Sequence, residues 1–108
     1  MRQRRAASWF LLMTESLNRT DFSQVVGTTF RVRFDAGEDV QLELAQCDPL
    51  AAPARETASR EAPFALLLRG SPQVQLPQQI HIFEHERLGT FEMFIVPVGP
   101  GEYEAVFN

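Results

Sequence analysis

The stretch His81–Gly99, HIFEHERLGTFEMFIVPVG, carries both histidines of the chain and three of its glutamates. As a helix it would set His81 and His85 one turn apart, where they could share a metal ion. As two strands around a turn it is a β-hairpin. The hairpin reading holds, because the run lacks helix punctuation and is flanked by β-type sequence. Four residues along a strand span about 13 Å, whereas each ligand of one zinc lies about 2 Å from it. No metal site is therefore expected. A two-residue Leu88–Gly89 turn would pair Arg87 with Thr90. In that register His85 faces Glu92, Phe83 faces Phe94 and His81 faces Val96, while Glu84 meets Met93 and Ile82 meets Ile95 on the other face. His85 and Glu92 are then a polar pair, and a carboxylate neighbour favours the protonated imidazole. The expected role of His85 is structural. Glu84 and Glu86 lie two apart on one face, and paired carboxylates do acid–base work only in a pocket; they read as solvated rim residues.

Strand patterns continue on both sides. EYEAVFN puts Tyr103, Ala105 and Phe107 on one face, after a turn at GPGE. Upstream, PFALLLRG puts Phe64, Leu66 and Leu68 on one face, with Ala65 and Leu67 on the other. Pro72 and Pro77 cannot donate to a ladder, so GSPQVQLPQQ is an extended connection or an edge. FRVRFDAGEDVQLEL is a second hairpin. Pairing Phe34 with Val40 sets Val32 opposite Leu42 and Phe30 opposite Leu44, with Arg31 and Glu43 as a surface ion pair. NRTDFSQVVG reads as a short helix with Thr20 as N-cap, Asp21 in the first turn and Gly27 ending it. Phe22, Val25 and Val26 share a face, and a helix this short must pack its Phe22/Val26 stripe on something. The stretch 48–63, DPLAAPARETASREAP, has no strand period and reads as a long loop.

The whole chain is 108 residues, the size of one domain, and 44% hydrophobic with nine Phe, enough for a core. The net charge is −4, all basic residues are arginine, and Arg2, Arg4 and Arg5 cluster at the start. Phosphate backbones require concentrated positive charge, so this acidic body argues against nucleic acid. Cys47 is the only cysteine, which excludes a disulfide framework and reads as a near-core thiol. MRQRRAASWFLLM imitates an export signal, but no small-x-small cleavage site follows and the apolar run is far short of a membrane span. We read residues 1–19 as a flexible N-terminal extension, residues 20–108 as a single β domain, and the protein as cytoplasmic. No Gly-rich phosphate loop, nucleophile elbow or Cys pair for zinc is present. Neither catalytic residues nor a cofactor are expected.

Four motifs together carry a resemblance: DF…GTTFRV, PFALLLRG, LPQQIHIFEHERLGTFEMFIVPVG and the closing YEAVFN. The chain resembles, over Thr20–Asn108, a family of short bacterial all-β proteins of unknown function. His85, Leu88, Gly89, Pro97 and Phe107 fall on that pattern, and Gln79 departs from it where glycine is expected, which puts a tight start to that strand in doubt. The resemblance implies a small all-β domain without assigned activity. It also implies a structural or accessory role beside a phage-tail-like assembly, since family members sit near genes for phage-tail-collar-like proteins.

The expected fold is all-β: a small antiparallel barrel or sandwich of about six strands, with one short N-terminal helix capping an open end. The expected function is a non-enzymatic structural or protein–protein interaction module that binds a protein partner or itself. In the hairpin register above, Leu67, Ile80, Ile82, Met93 and Ile95 form a second apolar face that needs a cover. The alternative is a small apolar-ligand-binding β-barrel.

Overall fold

The structure is a computed structural model and describes residues 17–35, 38–50 and 63–107. The expectations for residues 1–16 and for most of the 48–63 loop lie outside the described residues. One helix, α1 (Arg19–Ser23), precedes β1 (Thr29–Asp35), β2 (Glu38–Pro49), β3 (Phe64–Arg69), β4 (Gln79–His85), β5 (Gly89–Gly99) and β6 (Glu102–Phe107). The six strands close into an antiparallel barrel in the order β1-β2-β3-β6-β5-β4, and β4 returns to pair with β1. Among the described residues, closure gives each strand a neighbour on both sides and leaves no free sheet edge.

Alternation supplies the interior. Phe30 and Val32, Leu42 and Leu44, Leu66 and Leu68, and Tyr103 and Ala105 are buried, each pair two residues apart on its strand. Both barrel ends are filled by side chains. At one, Phe22 of α1 is fully buried, with its ring centroid 5.5–6.5 Å from those of Phe30, Phe64, Phe91 and Phe107. At the other, the connection from β3 to β4 inserts a fully buried Leu76. The Tyr103 hydroxyl pins that connection, accepting from the Leu76 amide (2.9 Å) and donating to the Val74 carbonyl (3.1 Å). His81 helps from β4, with Nε2 donating to the Pro77 carbonyl at 2.9 Å.

Helix α1 starts earlier than the sequence suggests. Asn18, not Thr20, is the N-cap, and it forms a reciprocal capping box with Asp21. Only Phe22 and Val25 face the core, while Val26 is exposed, so the inward stripe is Phe22/Val25. Gly27 does not end the helix directly; Gln24 is the C-cap. Gly27 instead turns the chain into β1 with φ 93°, donating to the Leu44 carbonyl at 2.8 Å.

Both hairpins differ in register from expectation. In β1–β2, Val32 pairs with Val40, Phe30 with Leu42 and Arg31 with Gln41, a shift of two residues that keeps Phe30, Val32, Leu42 and Leu44 on the inner face. An irregularity between Arg33 and Asp35 accompanies this, and Phe34 is left exposed. In β4–β5 the shift is three: His85 pairs with Gly89, Phe83 with Phe91, Ile82 with Glu92 and His81 with Met93. The turn chemistry explains it. A two-residue hairpin turn needs positive φ at its first central residue, which Leu88 would have to supply at a steric cost. Gly89 alone in this hairpin takes positive φ (85°), after a three-residue loop of Glu86, Arg87 and Leu88. An odd shift exchanges the faces of β5. Phe91, Met93 and Ile95 therefore point into the barrel, and Phe94 points out.

Candidate functional site

Two places collect side chains beyond those needed for the core. The first is the outer face of β4, β5 and β6. Ile80 is 59% exposed, Phe94 and Val98 are each 49% exposed, and Val106 is 50% exposed. Ile80 and Phe94 are direct partners across β4–β5. Val96 pairs with Glu104 across β5–β6, and two residues further along those strands come Phe94 and Val106. Val106 in turn sits opposite Ala65 of β3. Exposed apolar side chains thus form a row across three strands, with half-buried Ile82, Val96 and Leu67 beside it. Of the residues expected to form an interaction face, Leu67, Ile80 and Ile82 do lie outside. Met93 and Ile95 are buried in the barrel and belong to no outer surface. Phe94, Val98 and Val106 take their place.

The second place is the β4–β5 turn. His85 is buried, its ring 4.5 Å from that of Phe30. It pairs with Gly89 rather than Glu92, which lies opposite Ile82 on the outer face. The amides of Arg87 (3.0 Å) and Leu88 (3.3 Å) both point at Nδ1. Nδ1 is therefore the unprotonated nitrogen, and Nε2 donates to Thr28 Oγ1 at 2.8 Å. Thr28 Oγ1 then donates to the Val25 carbonyl at 2.6 Å. One neutral imidazole joins the hairpin loop to the turn after α1. Burial, seconded by the Arg87 charge and partly offset by Glu86, holds its pKa below the ordinary histidine value. This is the reverse of what a carboxylate pair would do.

The chain matches the family model described as a domain of unknown function, DUF6916, over residues 17–107. It belongs to the DUF6916 family. No curated protein and no solved structure matches it.

Beside the β4–β5 turn of the DUF6916 domain, several polar side chains are committed to one another. A cleft of about 650 Å³ beside the β4–β5 turn is lined by Thr28, Arg31, Gln41, Glu84, His85 and Arg87, among others. Within it, Glu84 accepts from Arg31 (2.8 Å to Oε1) and from Arg33 through its second oxygen. Those hydrogen bonds, Arg31's the largest, hold the Glu84 carboxyl below its usual range against the opposing effect of partial burial. An anion clamped by two guanidinium groups is no proton donor at neutral pH, and both nitrogens of His85 already have partners. Glu86 is exposed, and burial pushes the Cys47 thiol up, away from the thiolate. Among the described residues, no group of three or more His, Cys, Asp or Glu could hold a metal ion, and no helix is long and apolar enough to cross a membrane. The Arg31–Arg33–Glu84 cluster escapes sequence reasoning because it spans the β1–β4 pairing that closes the barrel. Its one signal in the sequence is the alternation of Arg31 and Arg33 on the outer face of β1.

The state of His85 gives the DUF6916 domain a pH dependence. Its folded pKa lies below its unfolded value, so between the two the unfolded chain binds more protons. The stabilisation is complete above the unfolded value, about 6.5, and is lost as pH falls through the folded one. Protonating Nδ1 sets an N–H against two amide donors, at a cost of about 1–3 kcal/mol. We expect Tm to fall by roughly 5–10 °C between pH 7 and 5. In His85→Asn, which keeps an acceptor near the loop amides and cannot titrate, the slope should flatten. Equal slopes in the two proteins would exclude His85 as the source.

Proposed function

We propose that this domain is a non-enzymatic protein–protein interaction module that docks its partner, a second copy or another protein, on the outer face of β4, β5 and β6. The observation that carries this is the row Ile80–Phe94–Val106. Large apolar side chains, about half exposed on neighbouring strands, keep water ordered against them until something covers them. The barrel closes on itself, so main-chain strand addition is not open to a partner, and the side chains of this face are what it would bind. A small-ligand reading has no comparable support, since Phe22 and Leu76 fill the two barrel ends. An accessory role in a phage-tail-like assembly is the specific form we favour; its support is the family resemblance of the motifs quoted above.

Native mass spectrometry of the full chain, isolated from its own cells, tests the proposal. The wild type should carry added protein mass. Phe94→Arg should weaken that complex roughly tenfold or more, as loss of a central aromatic anchor does. Its Tm should stay within about 5 °C of wild type, because the side chain lies half exposed on the outer face of the barrel. A complex unchanged by Phe94→Arg would move the site elsewhere. A bare monomer throughout would overturn the interaction reading.

A further inference from the structure

His85 stands where the β4–β5 loop meets the helix that plugs one end of the barrel. Its ring is buried against Phe30, whose own ring lies 6.5 Å from that of Phe22. Nδ1 accepts from the Arg87 and Leu88 amides of the loop, while Nε2 donates to Thr28 Oγ1, which donates on to the Val25 carbonyl. A second tie runs the same way: Arg87 Nη2 donates at 3.4 Å to the carbonyl of Gln24, the C-cap of α1. Toward β2 the Cys47 thiol reaches the Arg19 carbonyl at 3.8 Å, a weak contact. The chain behind the helix is anchored on β2 by its backbone. Gly27 donates to the Leu44 carbonyl, and the Leu44 amide donates to the Thr28 carbonyl at 3.0 Å. Gly27, with its positive φ, is thus the pivot between an anchored turn and a five-residue helix.

We propose that His85 is a proton-operated latch: taking a proton at Nδ1 lifts the β4–β5 loop and releases α1 from the barrel end, while the six strands stay paired. A protonated Nδ1 faces two N–H donors and finds no acceptor there. The ring relieves this by leaving the loop amides for water, and the Thr28 and Arg87 ties go with it. A helix of five residues does not hold itself together without tertiary support. It swings out ahead of Gly27 and withdraws Phe22 from Phe30, Phe64, Phe91 and Phe107, which leaves an aromatic-lined socket. The surrounding charges leave this response to His85. Arg87 and Glu86 on the loop act on it in opposite directions, and Glu84 on β4 is held by Arg31 and Arg33 of β1. Residues 24–29 before and within β1 and residues 89–91 of β5 carry no titratable side chain. Burial disfavours the imidazolium in the closed form, whereas the opened ring titrates near its ordinary value, about 6.5. The opening equilibrium therefore rises as pH falls below that value, by up to about tenfold per pH unit, until the closed form titrates too. The latch acts at the barrel end and does not depend on the docking face of β4, β5 and β6.

Amide hydrogen exchange of the full chain between pH 7 and 5, corrected for the intrinsic effect of pH, tests the latch. The amides of Phe22, Gln24 and Val25, bonded within α1, and those of Arg87 and Leu88 on the loop should lose protection together, by up to about tenfold per pH unit. Urea below the unfolding transition should change their protection little, because local opening exposes little surface. Amides of the β3–β6 ladder should be more protected and respond more steeply to urea. His85→Asn should flatten the pH response in both places. Thr28→Val combined with Arg87→Ala cuts both ties between loop and helix, so it should flatten the response at α1 and keep it at the loop. The double variant decides the matter even where His85→Asn fails to fold. Protection at α1 equal to that of the ladder, with the same urea dependence, would overturn the latch, since the helix would then leave only when the barrel unfolds. A pH response at α1 that survives in the double variant would overturn it too. So would loop amides that open in acid while α1 stays protected.

Discussion

Replacing Phe22 by alanine is expected to destabilise the barrel by about 3–5 kcal/mol, lowering Tm by roughly 15–30 °C. Phe22 is fully buried and lies against four other aromatic rings. Its helix has only five residues and cannot hold itself together without tertiary packing. Truncation therefore removes more than one side chain's burial. It leaves a cavity under α1 and takes away most of what holds α1 over the barrel end. The capping box of Asn18 and Asp21 organises the first turn but buries no apolar surface. Phe22→Leu refills most of the volume and should recover at least half of the loss. Thermal unfolding followed by circular dichroism measures both variants. A Tm within about 5 °C of wild type for Phe22→Ala would show that the barrel end does not depend on this plug.

Gly101→Ala is the second large effect, and Gly27→Ala is its control. Both glycines have positive φ, 70° at Gly101 and 93° at Gly27, so alanine costs about 1–2 kcal/mol of conformational strain at either. Their surroundings differ. A Cβ at Gly27 meets nothing within 4 Å. At Gly101 it would stand 2.5 Å from the Gly70 carbonyl oxygen and 3.0 Å from the Pro72 nitrogen, both backbone atoms that cannot rotate away. The Gly101 carbonyl also accepts from the Gly70 amide at 2.7 Å, so relieving the clash breaks the bond that ties the β5–β6 turn to the end of β3. Overpacking of this kind adds about 1–3 kcal/mol. The loss in Gly101→Ala should therefore be roughly twice that in Gly27→Ala in denaturant titrations of the two proteins. Equal losses would mean that the Gly70–Gly101 crossing yields easily.

The two hairpins show why the fold was more legible than the site. In β1–β2 the expected and observed registers differ by two residues. Alternation has a period of two, so such a shift moves no residue between faces, and the interior set of Phe30, Val32, Leu42 and Leu44 is the same either way. In β4–β5 the difference is three, and it exchanges Phe91, Met93 and Ile95 for Glu92, Phe94 and Val96. That difference also moves Met93 and Ile95 off the outer face, where Phe94 lies instead. The correction was available in the residues. Leu88 before Gly89 fits neither two-residue turn type, and one glycine after three loop residues fits the three-residue loop.

The sequence by itself determined the strands, the single core, the antiparallel hairpins and the need for a short helix to bury Phe22. These follow from local alternation and from turn residues, which act over a few positions. Only the tertiary structure decided that the sheet closes through β1 and β4, that Leu76 fills the second end under Tyr103, and that Glu84 meets two arginines about 50 positions away in the chain. It also decided that His85 serves two loops as a neutral imidazole. These contacts join residues far apart in sequence, and nothing in a local pattern encodes which distant partner a strand face or a polar side chain will meet.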